Sequence, residues 1–302
     1  MERRGDKSKG NFLFAIMFVI LILAILAIGI LHFMDEKKKE QAQQQYEQLM
    51  AEAVQHSDQK IDEAYQSSKD TVEEADVKDT GEKNPGTEKQ QSSDGEQKTF
   101  TVVPNDKMDF KVIWEQNPDV VAWIEIPGTV VNYPVLRSED NEYYLLHNLD
   151  GSKGYPGCIY MESYNSEGFE DPLTILYGHN MKNGTMFGSL KKFQKEDFFE
   201  ANQSLYIYLP DQVFQYEILA ISQYNDEHLL EQDFAANKEG GYTFVGMQGD
   251  EGLNFYEKLA NYGDSKAIFA DKQKLTEEDQ FLVLSTCLGN PNKRLLVVYK
   301  RV

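Results

Sequence analysis

Cysteine is almost absent from this chain: there are two in 302 residues, Cys158 and Cys287. That excludes a disulfide-stapled scaffold and a four-thiolate zinc site. Positive charge is also short, with 30 Lys+Arg against 50 Asp+Glu and a net charge of −20. A nucleic-acid binder needs clustered Lys and Arg to displace counterions, so nucleic acid is excluded as a partner. Motifs for metals and phosphates are missing too. There is no HExxH, no CxxC, no EF-hand loop, no phosphate-binding glycine loop and no GxSxG elbow. Neither a metal nor a cofactor is expected. Acidic clusters at Glu139-Asp140 and Glu277-Glu278-Asp279 read as solvated loop charge rather than calcium sites. There is no internal repeat.

What is present divides the chain into four. Residues 1–11 form a short basic head with Arg3, Arg4, Lys7 and Lys9. Residues 12–34 hold an uncharged apolar run, Phe12 to Leu31, of the length a helix needs to cross a bilayer core. The run ends in Leu31-His32-Phe33-Met34, with no small-residue cleavage site, so it reads as an uncleaved anchor. The expected orientation is N-terminus inside, with lipid contact through residues 12–34. Residues 35–99 read as an acidic polar stalk. Residues 35–98 carry 17 Asp+Glu against 9 Lys, a net of −8. Lys37 to Ala75 has helix-forming composition, with Tyr46, Leu49, Met50, Ala53 and Val54 at helical spacing. GEKNPGTEKQQSSDGEQK reads as a flexible linker. Residues 100–302 regain apolar residues and are long enough for one buried core.

That last segment opens with a helix expected over Lys107–Gln116. Strands are expected at Val120–Ile126, Leu173–Tyr177, Leu205–Leu209, Val213–Ser222, Phe281–Thr286 and Leu295–Lys300. The final two are separated by the turn residues Gly289-Asn290-Pro291-Asn292. One helix is expected before them, over Gly252–Tyr262. Many short strands with few helices indicate a mainly β domain, a barrel or sandwich with helical insertions.

The two cysteines have unlike contexts. A disulfide between them is one reading for an extracellular protein. Cys158 lies in the apolar GYPGCIYM and reads as a small core residue. Cys287 ends the apolar strand FLVLST just where a turn begins, a suitable place for a nucleophile facing a cleft. A nucleophilic thiol needs a proton partner, usually histidine. His147 and His228 read as surface residues, whereas His179 leaves a strand end through Gly178. Acyl transfer also needs a donor or positive charge at the developing oxyanion. The domain has three arginines, Arg137, Arg294 and Arg301, and Arg294 opens the strand hairpinned to the one that ends in Cys287.

These residues carry a resemblance. YGHNMKNGTMFGSLKKF, LSTC and KRLLVVYK resemble the histidine, cysteine and arginine motifs of sortases, the cysteine transpeptidases of Gram-positive cell surfaces. NPDVVAWIEIPGTVVNYPVL and DNEYYL resemble class B sortases in particular. The resemblance covers about Asp109 to Val302. It implies an eight-stranded sortase β-barrel with N-terminal helices and an inserted helix before the cysteine strand. It implies His179, Cys287 and Arg294 as catalytic residues. Asn141, Leu145, Ser285 and Thr286 would line the groove that binds the sorting motif. The implied partners are secreted proteins bearing a C-terminal sorting motif, with a cell-wall precursor or a pilin amine as acceptor. A pilin polymerase and a catalytically silent surface-binding barrel are the competing readings. The sequence departs from the class at Leu288, where some members carry an acidic residue after the cysteine, and in a short turn from Cys287 to Arg294.

Overall fold

A computed structural model of the chain describes residues 6–72, 103–225, 234–236, 242–244, 266–270, 279–290 and 292–302. The chain divides into two compact units, Met1–Gln45 and Tyr46–Val302. Helix α1 runs Asp6–Val72. In the first unit its apolar side chains are bare: Phe14, Met17, Leu21, Ile28 and Leu31 are all exposed. A core helix would hide them. This helix is long and apolar enough to cross a membrane.

In the second unit α1 behaves differently. Tyr46, Leu49 and Ala53 fall on one helical face and are buried in the main core. The Tyr46 hydroxyl donates to the Gly157 carbonyl (3.0 Å), and the Asp109 amide donates to the Ala53 carbonyl (3.1 Å). Ser57 bonds the Asp106 carbonyl, and the His56 ring pairs with Asp109. The spacer expected over residues 35–99 is therefore packed along one face at residues 46–57, through Tyr46, Leu49, Ala53 and Ser57, while Glu47, Gln48, Glu52 and Gln55 stay exposed. The apolar stripe Tyr46-Leu49-Ala53 finds its partner in the β domain.

The β domain opens with β1 (Val103–Pro104) and α2 (Phe110–Gln116), whose N-cap Asp109 accepts from the Lys111 amide. There follow β2 (Val120–Glu125), β3 (Asn132–Leu136), the short α3 (Tyr143–Leu146), β4 (Ile159–Met161) and β5 (Leu173–Tyr177). A 3-10 segment (Phe187–Gln194) and α4 (Glu196–Ala201) lead to β6 (Ser204–Tyr208) and the long β7 (Gln212–Asn225). Then come β8 (Phe234–Ala236), β9 (Tyr242–Phe244), β10 (Lys266–Ala270), β11 (Phe281–Cys287) and β12 (Lys293–Arg301). The helix expected over Gly252–Tyr262 lies outside the described residues, as do His228 and the linker GEKNPGTEKQQSSDGEQK.

Strand pairing closes a ring of eight in the order β7-β12-β11-β5-β4-β3-β2-β6, with β6 returning to β7. This is the expected eight-stranded barrel. Alternate side chains face its interior. Leu282, Leu284, Leu295, Val297 and Tyr299 join the main core with Trp123, Tyr133, Leu176 and Ile207. Their neighbours Phe281, Val283, Leu296 and Val298 form a second cluster with Leu173 and Ile175 on the opposite face. Parity along β11 and β12 thus assigns every side chain near the strand ends to one face or the other.

Leu49 tests the docking of α1. It is 2% exposed within the core. Leu49→Ala should cost about 2–5 kcal/mol. Calorimetry should show a lower melting temperature for the variant, and an unchanged one would mean that residues 46–57 do not pack on the barrel in solution.

Candidate active site

Two strand relationships assemble the site. Strands β11 and β12 pair antiparallel, with Cys287 directly opposite Arg294. The next pair outward is joined by the Leu288 amide to the Lys293 carbonyl (3.0 Å). Cys287 and Arg294 are therefore a non-hydrogen-bonded pair, the kind whose side chains approach most closely, and they share a face. The parity is that of Phe281, Val283, Leu296 and Val298, so both side chains leave the outer face of the barrel.

The second relationship is parallel. β5 runs beside β11 with Tyr177 level with Ser285. The register continues past the strand end, where the Gly178 amide donates to the Ser285 carbonyl (3.3 Å). His179 therefore leaves β5 at the level of Cys287. Side chains fasten this rim. Asn180 Nδ2 donates to the Cys287 carbonyl (2.6 Å), and Thr286 Oγ1 donates to the Gly178 carbonyl (2.7 Å). Gly178 is required because a Cβ there would lie 2.5 Å from Ile159 Cδ1 and 2.8 Å from the Phe187 ring.

His179 is half-buried, and its Nε2 lies 2.8 Å from the Leu145 carbonyl. A carbonyl only accepts, so Nε2 carries hydrogen and Nδ1 is left for proton exchange. The Tyr155 ring leans on the imidazole, with centroids 4.9 Å apart. Burial pushes the His179 pKa down, and the bond to the Leu145 carbonyl only partly opposes it.

Tyr160 and Tyr177 pair across β4 and β5, with rings 5.3 Å apart. Burial raises both hydroxyl pKa values and the Glu162 carboxylate raises them further, while Arg294 acts in the opposite sense on each. Both charges therefore act on this tyrosine pair. Glu162 is wholly buried. The other two arginines are structural. Arg137 donates to the Ser163 and Asn165 carbonyls, and Arg301 stacks on Phe214 at 3.5 Å.

The two cysteines are both free thiols, Cys158 buried and Cys287 exposed. Burial pushes the Cys158 thiol up to about 12, which keeps it protonated and inert. Of the four expected groove residues, Asn141 lies at the Glu162 carboxylate and Leu145 contributes the carbonyl that holds His179. Ser285 shares the Cys287 face but is buried. Thr286 has the opposite parity and spends its hydroxyl on Gly178. Glu162, Tyr160, Tyr177 and Tyr155 carry no functional signal of their own in the sequence, because only the fold brings them to the site. Among the described residues no group of three His, Cys, Asp or Glu is set to hold a metal ion.

The model of the sortase domain family matches residues 124–302, more than half of the chain. The chain belongs to the sortase family. Its relatives are class B sortases. It is 30% identical over 172 residues to sortase B of Listeria monocytogenes, covering 57% of this chain and 63% of that protein. The chain thus spans less than two thirds of that relative's length. Among solved structures, sortase B from B. anthracis aligns with a TM-score of 0.54 and 31% identity, covering 64% of this chain and 83% of that one. A Streptococcus pyogenes class B sortase involved in pilus biogenesis aligns with a TM-score of 0.53 and 25% identity, covering 64% and 97%.

The depressed His179 pKa has a stability consequence. The fold favours the neutral ring, whose unperturbed pKa is about 6.5. Its contribution is complete above that value and is lost as the pH falls through the lower folded value. NMR titration should put the His179 midpoint below 6.5, and Tyr155→Ala should raise it by opening the ring to water. A wild-type midpoint above 6.5 would contradict the burial argument.

Proposed function

We propose that this sortase is a membrane-anchored transpeptidase that cleaves secreted proteins after a threonine and joins them to an amine. Cys287 is the nucleophile, His179 the proton carrier and Arg294 the oxyanion partner. The observation that carries this reading is the strand-end arrangement: an exposed thiol directly opposite a guanidinium, level with a histidine on the neighbouring parallel strand. The free state of both cysteines also supports it, since a disulfide would consume the nucleophile.

The reaction runs in two halves. The Cys287 thiolate attacks the threonine carbonyl carbon and forms a C–S bond. Negative charge gathers on the carbonyl oxygen, where Arg294 stabilises it. The C–N bond then breaks, and the His179 imidazolium gives its proton to the departing amine. A thioester remains on Cys287. In the second half an acceptor amine attacks that thioester and loses a proton to neutral His179, and the thiolate departs. The enzyme returns to thiolate and imidazolium. Because burial lowers the His179 pKa, the imidazolium is a minority form at neutral pH.

The apolar helix at the N-terminus supports anchoring. Residues 12–34 span the bilayer with the basic head inside and the β domain outside, where secreted substrates arrive. The segment GEKNPGTEKQQSSDGEQK then serves as a linker. The favoured acceptor is a cell-wall peptide amine. A pilin lysine is the second reading, favoured by the likeness to the S. pyogenes enzyme involved in pilus biogenesis.

Two variants test the chemistry. On quenched peptides with a Thr-Asn or Thr-Gly bond, Cys287→Ala should abolish cleavage. Arg294→Lys should lower kcat/KM by about 100-fold, the usual cost of one oxyanion donor. Retained cleavage in Cys287→Ala would show that the nucleophile is assigned wrongly. Mass spectrometry of products formed with a wall-peptide amine or with a pilin distinguishes the two acceptors.

A further inference from the structure

A wholly buried carboxylate is costly unless hydrogen bonds compensate for the lost water. Glu162 follows β4 directly and has the parity of Tyr160, whose partner Tyr177 is level with Ser285 on the cysteine strand. It is 0% exposed. Its Oε1 accepts from Asn141 Nδ2 (2.6 Å), Ser163 Oγ (3.1 Å) and the Tyr164 amide (3.3 Å). Its Oε2 accepts from the Tyr177 hydroxyl (2.8 Å). Asn141 is gripped twice, since its Oδ1 also accepts from the Ser163 amide (2.9 Å). One carboxylate thus ties the loop that enters α3 to the strand end that leads into His179. α3 in turn supplies the Leu145 carbonyl that holds the imidazole.

The direction of these bonds has a chemical consequence. An ionised carboxylate only accepts. It therefore takes the Tyr177 hydroxyl hydrogen, so that the Tyr177 oxygen can accept a further hydrogen bond but not donate one. We propose that Glu162 is a positioning residue of the peptide groove, fixing Asn141 against Tyr177 on the strand next to that of Cys287 and making the Tyr177 oxygen an acceptor for an N–H of the sorting peptide. This rests on the reading of Cys287 as the nucleophile. It assigns Asn141 a braced role in the groove wall, and it makes Tyr177 the group that meets the substrate.

Glu162→Gln preserves shape but breaks this pattern. A glutamine amide offers one acceptor and one donor, so its NH2 must face either the Tyr177 hydroxyl or the Asn141 amide, each of which donates. Quenched peptides with a Thr-Asn or Thr-Gly bond, assayed over a range of concentrations, separate binding from chemistry. Glu162→Gln should raise KM at least about tenfold while kcat stays within about threefold. Tyr177→Phe, which removes only the hydroxyl, should raise KM as well and serves if Glu162→Gln does not fold. In an Asn141→Ala, Tyr177→Phe background, adding Glu162→Gln should change KM by less than about twofold, because its route to the substrate is gone. An unchanged KM in both Glu162→Gln and Tyr177→Phe overturns the proposal while leaving the Cys287 chemistry intact. A loss confined to kcat also overturns it. Absence of cleavage by the wild type would overturn the reading of Cys287, and this proposal with it.

Discussion

The parallel pairing of β5 with β11 is the constraint on which the site depends. Two parallel strands end at the same rim of a barrel. Residues more than a hundred positions apart, His179 and Cys287, therefore emerge side by side. Parallel neighbours require a long crossover, and here residues 178–280 provide it. The β11–β12 hairpin adds the third partner by a local route: a tight turn, with Gly289 at φ +83°, reverses the chain and returns Arg294 opposite Cys287. The geometry of the candidate site is thereby reduced to strand register. A one-residue slip would send Cys287 or Arg294 to the interior face, where Leu282, Leu284, Leu295 and Val297 are packed.

Register alone does not hold a rim, because strand ends fray. Here side chains take over where the ladders stop. Asn180 grips the Cys287 carbonyl, Thr286 the Gly178 carbonyl, and the Leu145 carbonyl the His179 ring. Each bond joins two elements that the chain would otherwise leave independent. The docked part of α1 contributes as well: Tyr46 bonds Gly157, next to Cys158, whose amide bonds the Tyr144 carbonyl of α3. Gly157 presses so closely on α3 that a Cβ there would lie 2.8 Å from the Leu145 carbonyl oxygen. The helix that follows the membrane-length segment thus reaches, through packing, the carbonyl that orients the imidazole.

Much of this was legible in the sequence, for physical reasons. The strands at Leu173–Tyr177, Phe281–Cys287 and Lys293–Arg301 announce themselves as apolar runs punctuated by Gly, Asn and Pro. Cys287 and Arg294 are readable because a hairpin is a local object. The membrane-length helix follows from hydropathy alone. Other features are relations rather than patterns. β3 contains Pro134, which argues against a strand, yet it pairs on both sides. The stripe Tyr46-Leu49-Ala53 is visible, but the surface it packs against is not. Thr286 neighbours the cysteine and is implied in the groove by resemblance, but alternation turns it to the opposite face. Glu162 has no signal at all: an acidic residue after IYM looks like any loop charge until burial and four donors distinguish it.

The central claim is that Cys287, and not Cys158, becomes acylated. Mixing the wild-type protein with a sorting peptide containing a Thr-Asn or Thr-Gly bond, in the absence of any amine acceptor, should accumulate a covalent adduct. Intact-mass measurement followed by peptide mapping locates it. The expected product is a hydroxylamine-labile thioester carrying the peptide fragment that ends in threonine, attached to Cys287 alone. An adduct on Cys158, or turnover of the peptide with no adduct on Cys287, would contradict it.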